Sequence, residues 1–219
     1  MRRTLIPISI ILTLLIFCGY QYGYIAANYS CKVYPNQCDG EGSGDDRTSP
    51  TVGQLIIEAA SFLLQSNSDY QLFLKNYENS ADCGIDFAVF REIIDNAVEN
   101  MERASLKYFQ TWEISKCFDY DPLVLEKLRQ FDYEKFQKEN NLNPAIFQEV
   151  SNFLKTGNVN SIYEKAYNAT DGILRELRVI KASIDSGSIP AIKDCWRINQ
   201  KYLELELFLM YVSQVFFEI

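Results

Sequence analysis

Four acidic residues recur at helical spacing in the middle of the chain. They are Glu92, Asp95, Glu99 and Glu102, and intervals of 3, 4 and 3 residues place them along one face of an α-helix. If that face pointed inward, neighbouring carboxylates could share protons as a general acid and base, or bind a pair of metal ions. Helical di-metal sites also use a histidine three residues after a glutamate, and the sequence contains no histidine. We therefore expect a solvated outer face, with a carboxylate-based enzyme or metal carrier as the alternative.

The absence of histidine excludes several classes of catalytic and metal-binding site from the whole chain. It excludes a Ser-His-Asp or Cys-His nucleophile, a histidine-bearing zinc site, a histidine-ligated haem and a histidine pH switch. The sequence also has no glycine-rich phosphate loop, CxxC pair or CxxCH haem attachment. It therefore predicts a protein without cofactor, bound metal or catalytic residues.

Two rows of basic residues could neutralise the acidic row. One row consists of Arg175, Arg178 and Lys181, and the other of Lys193, Arg197 and Lys201. They could pair with carboxylates of neighbouring helices, which we prefer, or hold an anionic ligand. A formal net charge of -8 and a pI near 4.7 disfavour nucleic acid as a partner, because such binding relies on excess lysine and arginine. A partner protein or a small ligand is expected instead.

The N-terminal segment, residues 1–27, has the composition of a signal peptide or membrane anchor. Two arginines precede an apolar run, and no further charge appears before Lys32. Small residues offer a cleavage site after Ala27, which is the preferred interpretation. Alternatively, residues 4–27 are long enough to remain as a transmembrane helix. Either way, the body of the chain is expected outside the cytoplasm, in the periplasm, secreted or anchored facing outward.

A third interpretation of this segment is lipid attachment at Cys18. The stretch Leu15-Ile16-Phe17-Cys18 resembles the bacterial lipoprotein pattern, which has a leucine three positions before the cysteine. Phe17 stands where that pattern requires a small residue, which makes lipidation the weakest of the three interpretations. It too implies an extracytoplasmic protein.

Residues 28–50 are predicted to form a linker between this segment and a folded domain. The stretch DGEGSGDDRTSP has no apolar residue, which is typical of a flexible tether, and its acidic residues do not match a calcium loop. Cys31 and Cys38 enclose a Pro-Asn turn and could close a small disulfide loop in an oxidising compartment. Pairing of these two cysteines with others is the alternative.

Residues 51–219 are predicted to fold as an all-α, antiparallel helical bundle. The chain is 47% hydrophobic and 14% aromatic, as expected of a globular protein, and its apolar residues recur at intervals of 3 and 4. Pro122 and Pro144 mark helix starts, and Gly157 and Gly187 mark helix ends. The predicted helices cover residues 51–65, 69–79, 85–116, 122–139, 144–156, 161–185 and 190–217, with a break or a bend at Ser66-Asn67-Ser68.

Joining these helices into passes gives a prediction for the remaining cysteines. Five antiparallel passes would cover residues 51–80, 86–116, 121–156, 161–185 and 190–217, two of them broken. Cys83 would then lie at one end of the bundle, with Cys117 and Cys195 at the other. A disulfide needs Cα atoms within about 7 Å, so the pattern predicts a Cys117–Cys195 bridge.

Aromatic residues flank this predicted bridge. Tyr108 and Trp112 shortly precede Cys117, while Trp196 and Arg197 directly follow Cys195. These four side chains are therefore the candidate ligand pocket, although aromatic packing around a disulfide without a ligand is the more common arrangement.

The C-terminal run YLELELFLMYVSQVFFEI, which forms the second half of the last predicted helix, is apolar around most of its circumference. Such a helix is buried on most sides, so we expect it at the centre of the bundle or in a homo-oligomeric interface. The sequence as a whole favours an exported or membrane-tethered, non-catalytic module that binds a partner protein or small ligand. The alternatives are an extracytoplasmic carboxylate-based enzyme or metal carrier, and a structural subunit of an envelope assembly.

Overall fold

The computed structural model describes residues 52–83, 86–116 and 120–219. The predicted signal or anchor, the linker and the Cys31–Cys38 loop lie outside the described residues. Within the described ranges the secondary structure is entirely helical, which confirms the predicted all-α class. The helices are α1 (Val52–Cys83), α2 (Phe87–Ser115), α3 (Pro122–Gln130), α4 (Tyr133–Glu139), α5 (Pro144–Thr156), α6 (Asn160–Asp185) and α7 (Ile192–Glu218).

Helix α1 is continuous, so the predicted break at Ser66-Asn67-Ser68 is wrong. Ser66 is fully buried, and its Oγ donates a hydrogen bond of 2.6 Å to the carbonyl oxygen of Ala97 in α2. The Nδ2 of Asn67 donates to Glu206 Oε1 in α7 at 2.7 Å. Serine and asparagine disfavour helices when their side chains compete for the local backbone. Here the side chains of Ser66 and Asn67 form hydrogen bonds with α2 and α7 instead, so α1 continues through them.

The predicted helix over 122–139 is divided into α3 and α4. Phe131 adopts an extended conformation with ψ 135°, and the side chain of Asp132 accepts a hydrogen bond from Lys135 N at 3.0 Å. Asp132 thus caps the start of α4. No glycine or proline marks this boundary, which is why the apolar spacing alone did not indicate it.

Helices α2 and α6 are antiparallel neighbours. As the residue number increases along α2, the number of its contact on α6 decreases. The contacting pairs are Arg91 with Asp185, Asp95 with Lys181, Glu102 with Arg178, and Phe109 with Tyr167. The predicted five passes required these two helices to run in the same direction, so that count is wrong. The physical reason is that α3, α4 and α5 do not cross the molecule but stay near the beginning of α6 and the end of α7.

Two apolar clusters fill the interior. The first lies among α1, α2, α6 and the first half of α7, and the second among α3, α4, α5, the start of α6 and the second half of α7. Leu205 of α7 belongs to the first cluster and Phe208 to the second. Helix α7 is therefore shared by both clusters, although Leu203 and Phe217 of its apolar C-terminal run are 54% and 47% exposed.

Candidate functional site

The acidic row lies on the outer surface of α2. Glu92, Glu99 and Glu102 are exposed, and Asp95 is half-buried. The Nζ of Lys181 donates to Asp95, and Arg178 Nη2 donates to Glu102 at 2.8 Å. These carboxylates therefore do not converge on an interior site. The expected pairing with α6 is seen for Asp95 and Glu102, whereas Glu99 pairs with Arg103 of its own helix.

The second basic row converges on one carboxylate of α6. Lys201 Nζ lies 2.6 Å from Glu176 Oε1, and Arg197 Nε lies 3.3 Å from Glu176 Oε2. Burial by itself raises the pKa of Glu176, but the hydrogen bonds from the two cations lower this pKa overall. Arg197 and Lys201 thus fasten α7 to α6.

The four side chains of the predicted aromatic pocket are not brought together. Tyr108 is buried, and the ring of Trp112 stacks on Tyr167 with 5.8 Å between centroids. Trp196 is 48% exposed on α7. Arg197 pairs with Glu176, which lies nine residues beyond Tyr167, about 14 Å farther along α6. The predicted pocket is therefore split between two parts of the bundle.

Cys195 is a buried free cysteine in the first apolar cluster. Its carbonyl oxygen accepts a hydrogen bond of 2.8 Å from Tyr70, and burial raises the pKa of its thiol to about 11. Its predicted partner Cys117 lies outside the described residues. The argument for that bridge rested on the five passes, and the corrected direction of α6 places Cys195 toward the beginning of α2 rather than its end. The bridge therefore has no structural support.

An open cleft lies between α5, α6 and α7. Its volume is about 420 Å³, within the range of small-molecule sites. It is lined by Ala145, Ile146, Glu149, Lys165, Asn168, Ala169, Gly172, Lys201, Glu204 and Leu205. The sequence did not indicate this cleft, because it forms where α5 meets both the next helix, α6, and the more distant helix α7.

Small residues open the floor of the cleft. Gly172 has no side chain, and a Cβ placed there would meet no atom within 4 Å. Ala169 lies about one turn earlier on α6, and Ala145 lines the cleft from α5. A glycine inside a long helix costs about 1 kcal/mol relative to alanine. That cost was the available sequence signal, since Gly172 interrupts an otherwise strong helix.

Charges of both signs line the walls of the cleft. Lys165 Nζ lies 2.5 Å from Glu149 Oε1 and 5.0 Å from the centre of the Phe208 ring. Glu204 accepts a hydrogen bond of 2.8 Å from Gln200 on the same helix, and Lys201 reaches toward Glu176. The cleft thus presents carboxylates and ammonium groups around a small-residue floor.

A shallower groove lies between α2 and α6. It has a volume of about 380 Å³ and is lined by Glu102, Ser105, Leu106, Phe109, Tyr167, Asp171, Leu174 and Arg178. Glu102 and Arg178 are paired with each other across it. The groove is smaller and more open to solvent than the α5–α6–α7 cleft, which we therefore regard as the candidate site.

Other features of the described residues do not point to a different site. Among them, no cluster of three or more Cys, Asp or Glu side chains is arranged to bind a metal ion. None of the described helices is both long and apolar enough to span a membrane. Comparisons of the chain with protein-family models, curated proteins and solved structures found no match. The candidate site is therefore argued from the geometry of this chain alone.

Proposed function

We propose that the protein is a non-catalytic binding module that holds a small zwitterionic ligand, such as an amino acid or short peptide, in the α5–α6–α7 cleft. The observation that carries the proposal is the open space over Gly172, flanked by Glu149, Lys165 and Glu204. A ligand with an ammonium and a carboxylate group would find complementary charges on both walls, within a cleft of ligand size.

The mode of binding follows from the partners that the wall charges already have. Glu149 and Lys165 satisfy each other at 2.5 Å, so an incoming ligand exchanges one ion pair for two without leaving a buried charge unpaired. Glu204 is exposed, and the hydrogen bond that it accepts comes from Gln200 on the same helix. We therefore assign Lys165 to the carboxylate of the ligand, and Glu149, which Lys165 releases, to its ammonium group, with Glu204 as a second carboxylate beside that group.

The proposed setting of this module is outside the cytoplasm. The basis is the sequence of residues 1–27, with cleavage after Ala27 preferred and a retained anchor as the alternative. Residues 28–50 would then tether the bundle to a membrane if the segment is retained. Amino acids and short peptides are ligands that an extracytoplasmic module meets.

The alternative of a carboxylate-based enzyme or metal carrier has less support. It needed Glu92, Asp95, Glu99 and Glu102 to face inward, whereas their positions on α2 are on its outer side. The alternative of a structural subunit needs an apolar surface outside the bundle core, for which α7 offers only the exposed Ile192, Trp196 and Leu203.

Ligand binding can be tested by thermal unfolding of the full chain, purified in detergent, with each of the twenty amino acids and with dipeptide mixtures. A ligand at about 100 times its Kd adds about 2.7 kcal/mol of stability, which raises Tm by several degrees. We expect at least one of these probes to raise the Tm of the wild-type protein, and Gly172→Phe to abolish that rise by filling the cleft.

Gly172→Ala is the matched control for this test. A Cβ at this position meets no atom within 4 Å, so alanine should keep the cleft open and raise the basal Tm through its helix propensity. A probe that shifts Gly172→Phe as much as Gly172→Ala would place binding elsewhere on the protein. If no zwitterionic probe shifts the wild-type Tm, the proposed ligand class is wrong.

A further inference from the structure

Lys201 is a charged side chain of the cleft to which the zwitterionic ligand has assigned no group. The charged side chains that line the cleft are Glu149, Lys165, Lys201 and Glu204. The carboxylate and ammonium groups of the ligand use Lys165, Glu149 and Glu204. A ligand that fills the cleft therefore brings a further part of its structure beside Lys201.

Lys165 and Lys201 lie toward opposite ends of the cleft. Lys165 Nζ is 5.0 Å from the centre of the Phe208 ring on α7. Lys201 precedes Phe208 on α7 by seven residues, about 10 Å along the helix axis. Its Nζ lies 2.6 Å from Glu176 Oε1 on α6, and Gly172 lies between Lys165 and Glu176 on that helix. A ligand whose carboxylate contacts Lys165 can therefore extend over Gly172 toward Lys201.

Lys201 can change its partner without leaving Glu176 unpaired. Arg197 Nε lies 3.3 Å from Glu176 Oε2, whereas Lys201 contacts the other oxygen of this carboxylate. When Lys201 turns toward a ligand, Arg197 stays beside the half-buried Glu176, so that carboxylate keeps a cation. The side chain of Lys201 is 40% exposed, which makes its ammonium group accessible from the cleft.

The chemistry of an ammonium group favours an anion at this position. A lysine ammonium donates hydrogen bonds and accepts none. Its hydrogen bond to a carboxylate is charge-assisted and therefore stronger than the bond to a neutral amide. A basic ligand side chain would instead meet Lys201 as a like charge.

We infer that the cleft selects an acidic amino acid, or a short peptide that contains one, and that Lys201 binds the side-chain carboxylate. The main-chain carboxylate contacts Lys165, and the acidic side chain crosses the floor of the cleft at Gly172. The inference rests on the zwitterionic ligand proposed above and adds the charge of its side chain. Lys201 is then the residue that determines specificity.

Calorimetric titration of the full chain in detergent compares acidic probes with their amides. The probes are L-glutamate with L-glutamine, and the dipeptide Ala-Glu with Ala-Gln, so each pair differs by one charge at nearly constant size. We expect the wild-type protein to bind the acid of at least one pair about tenfold more tightly than its amide, because a charge-assisted hydrogen bond replaces a neutral one.

Lys201→Gln tests the residue to which the side chain is assigned. Glutamine removes the positive charge and keeps a hydrogen-bond donor for Glu176, so this variant should bind acid and amide with nearly equal affinity. Lys201→Arg should keep the preference for the acid. Lys193→Gln is the matched control, because Lys193 is exposed on the same helix and does not line the cleft. It loses the same charge and should also keep the preference.

The outcomes distinguish this inference from the proposed function. If the wild-type protein binds each amide as tightly as its acid, or binds free lysine or arginine most tightly, the zwitterionic site stands and its acidic selectivity is wrong. A preference that persists in Lys201→Gln would mean that another cation binds the side chain, which overturns the role of Lys201. If none of the probes binds the wild-type protein, both the inference and the proposed function are wrong.

Discussion

Glu206 lies on the side of α7 that faces α1, where a negative charge is poorly solvated. Burial raises the pKa of its carboxyl, although the hydrogen bond from Asn67 at 2.7 Å acts in the opposite direction. Because the pKa in the folded state exceeds that in the unfolded state, the folded protein holds this proton more tightly. The corresponding stabilisation is complete below the unfolded-state pKa and is lost as pH rises through the folded-state pKa.

The substitution Glu206→Gln should remove that loss of stability. We expect this variant to be more stable than the wild-type protein at neutral pH, and the difference to shrink as the pH falls toward the ordinary range of a glutamate. Urea unfolding at a series of pH values measures the free energy of unfolding of both proteins.

Glu204→Gln is the control for this prediction, because Glu204 is exposed and its substitution should leave the pH dependence nearly unchanged. A Glu206→Gln variant that is less stable than the wild-type protein at neutral pH would show that the folded state requires the charge.

At the scale of single helices, starts and ends were predictable wherever a local signal sets them. Asn143 precedes Pro144 and caps α5 as expected, and Gly157 ends it with φ 71°. The continuity of α1 was not predictable, because the partner of Ser66 is the carbonyl oxygen of Ala97, 31 residues away. Local propensity cannot include a hydrogen-bond partner that only tertiary folding supplies.

The cap of α5 is expected to contribute measurably to stability. The side chain of Asn143 accepts hydrogen bonds from Ala145 N at 3.0 Å and from Ile146 N at 3.3 Å. We expect Asn143→Ala to cost about 1 kcal/mol of unfolding free energy, with an unchanged urea m-value. Asn152→Ala, an exposed position within the same helix, should change stability by only a few tenths of a kcal/mol. Equal effects of the two substitutions would contradict a specific role for the cap.

For the whole molecule, the sequence predicted the helices but not their directions. Apolar spacing shows that α3, α4 and α5 each bury one face against other helices, but it does not show which helices these are. In the structure Phe147 of α5 packs against Tyr211 of α7, with 6.0 Å between ring centroids. In the folded chain α3, α4 and α5 pack near the beginning of α6 and the end of α7, so α6 runs opposite to the predicted direction, and the cleft beside Gly172 lies where α5 meets α6 and α7. The sequence indicated the carboxylate row, because its residues share one helix. It did not indicate the cleft, since the cleft forms only where three helices meet.

The sharing of α7 between the two clusters has a consequence for cooperativity. Leu209 packs against both clusters, and Leu205 and Phe208 belong to different ones. Neither cluster can therefore unfold without exposing apolar side chains of α7 that the other cluster helps to bury. We expect the described domain to unfold in one transition, as small single domains usually do.

Leu154→Ala and Leu177→Ala test this coupling, because Leu154 is fully buried in the second cluster and Leu177 in the first. Each substitution should cost about 2–5 kcal/mol. Hydrogen exchange in low urea should then show that Leu154→Ala lowers the protection of the slowest amides in α2 as much as in α5, because both report the same global unfolding. If Leu154→Ala weakens protection in α5 alone, the two clusters unfold independently and α7 does not couple them.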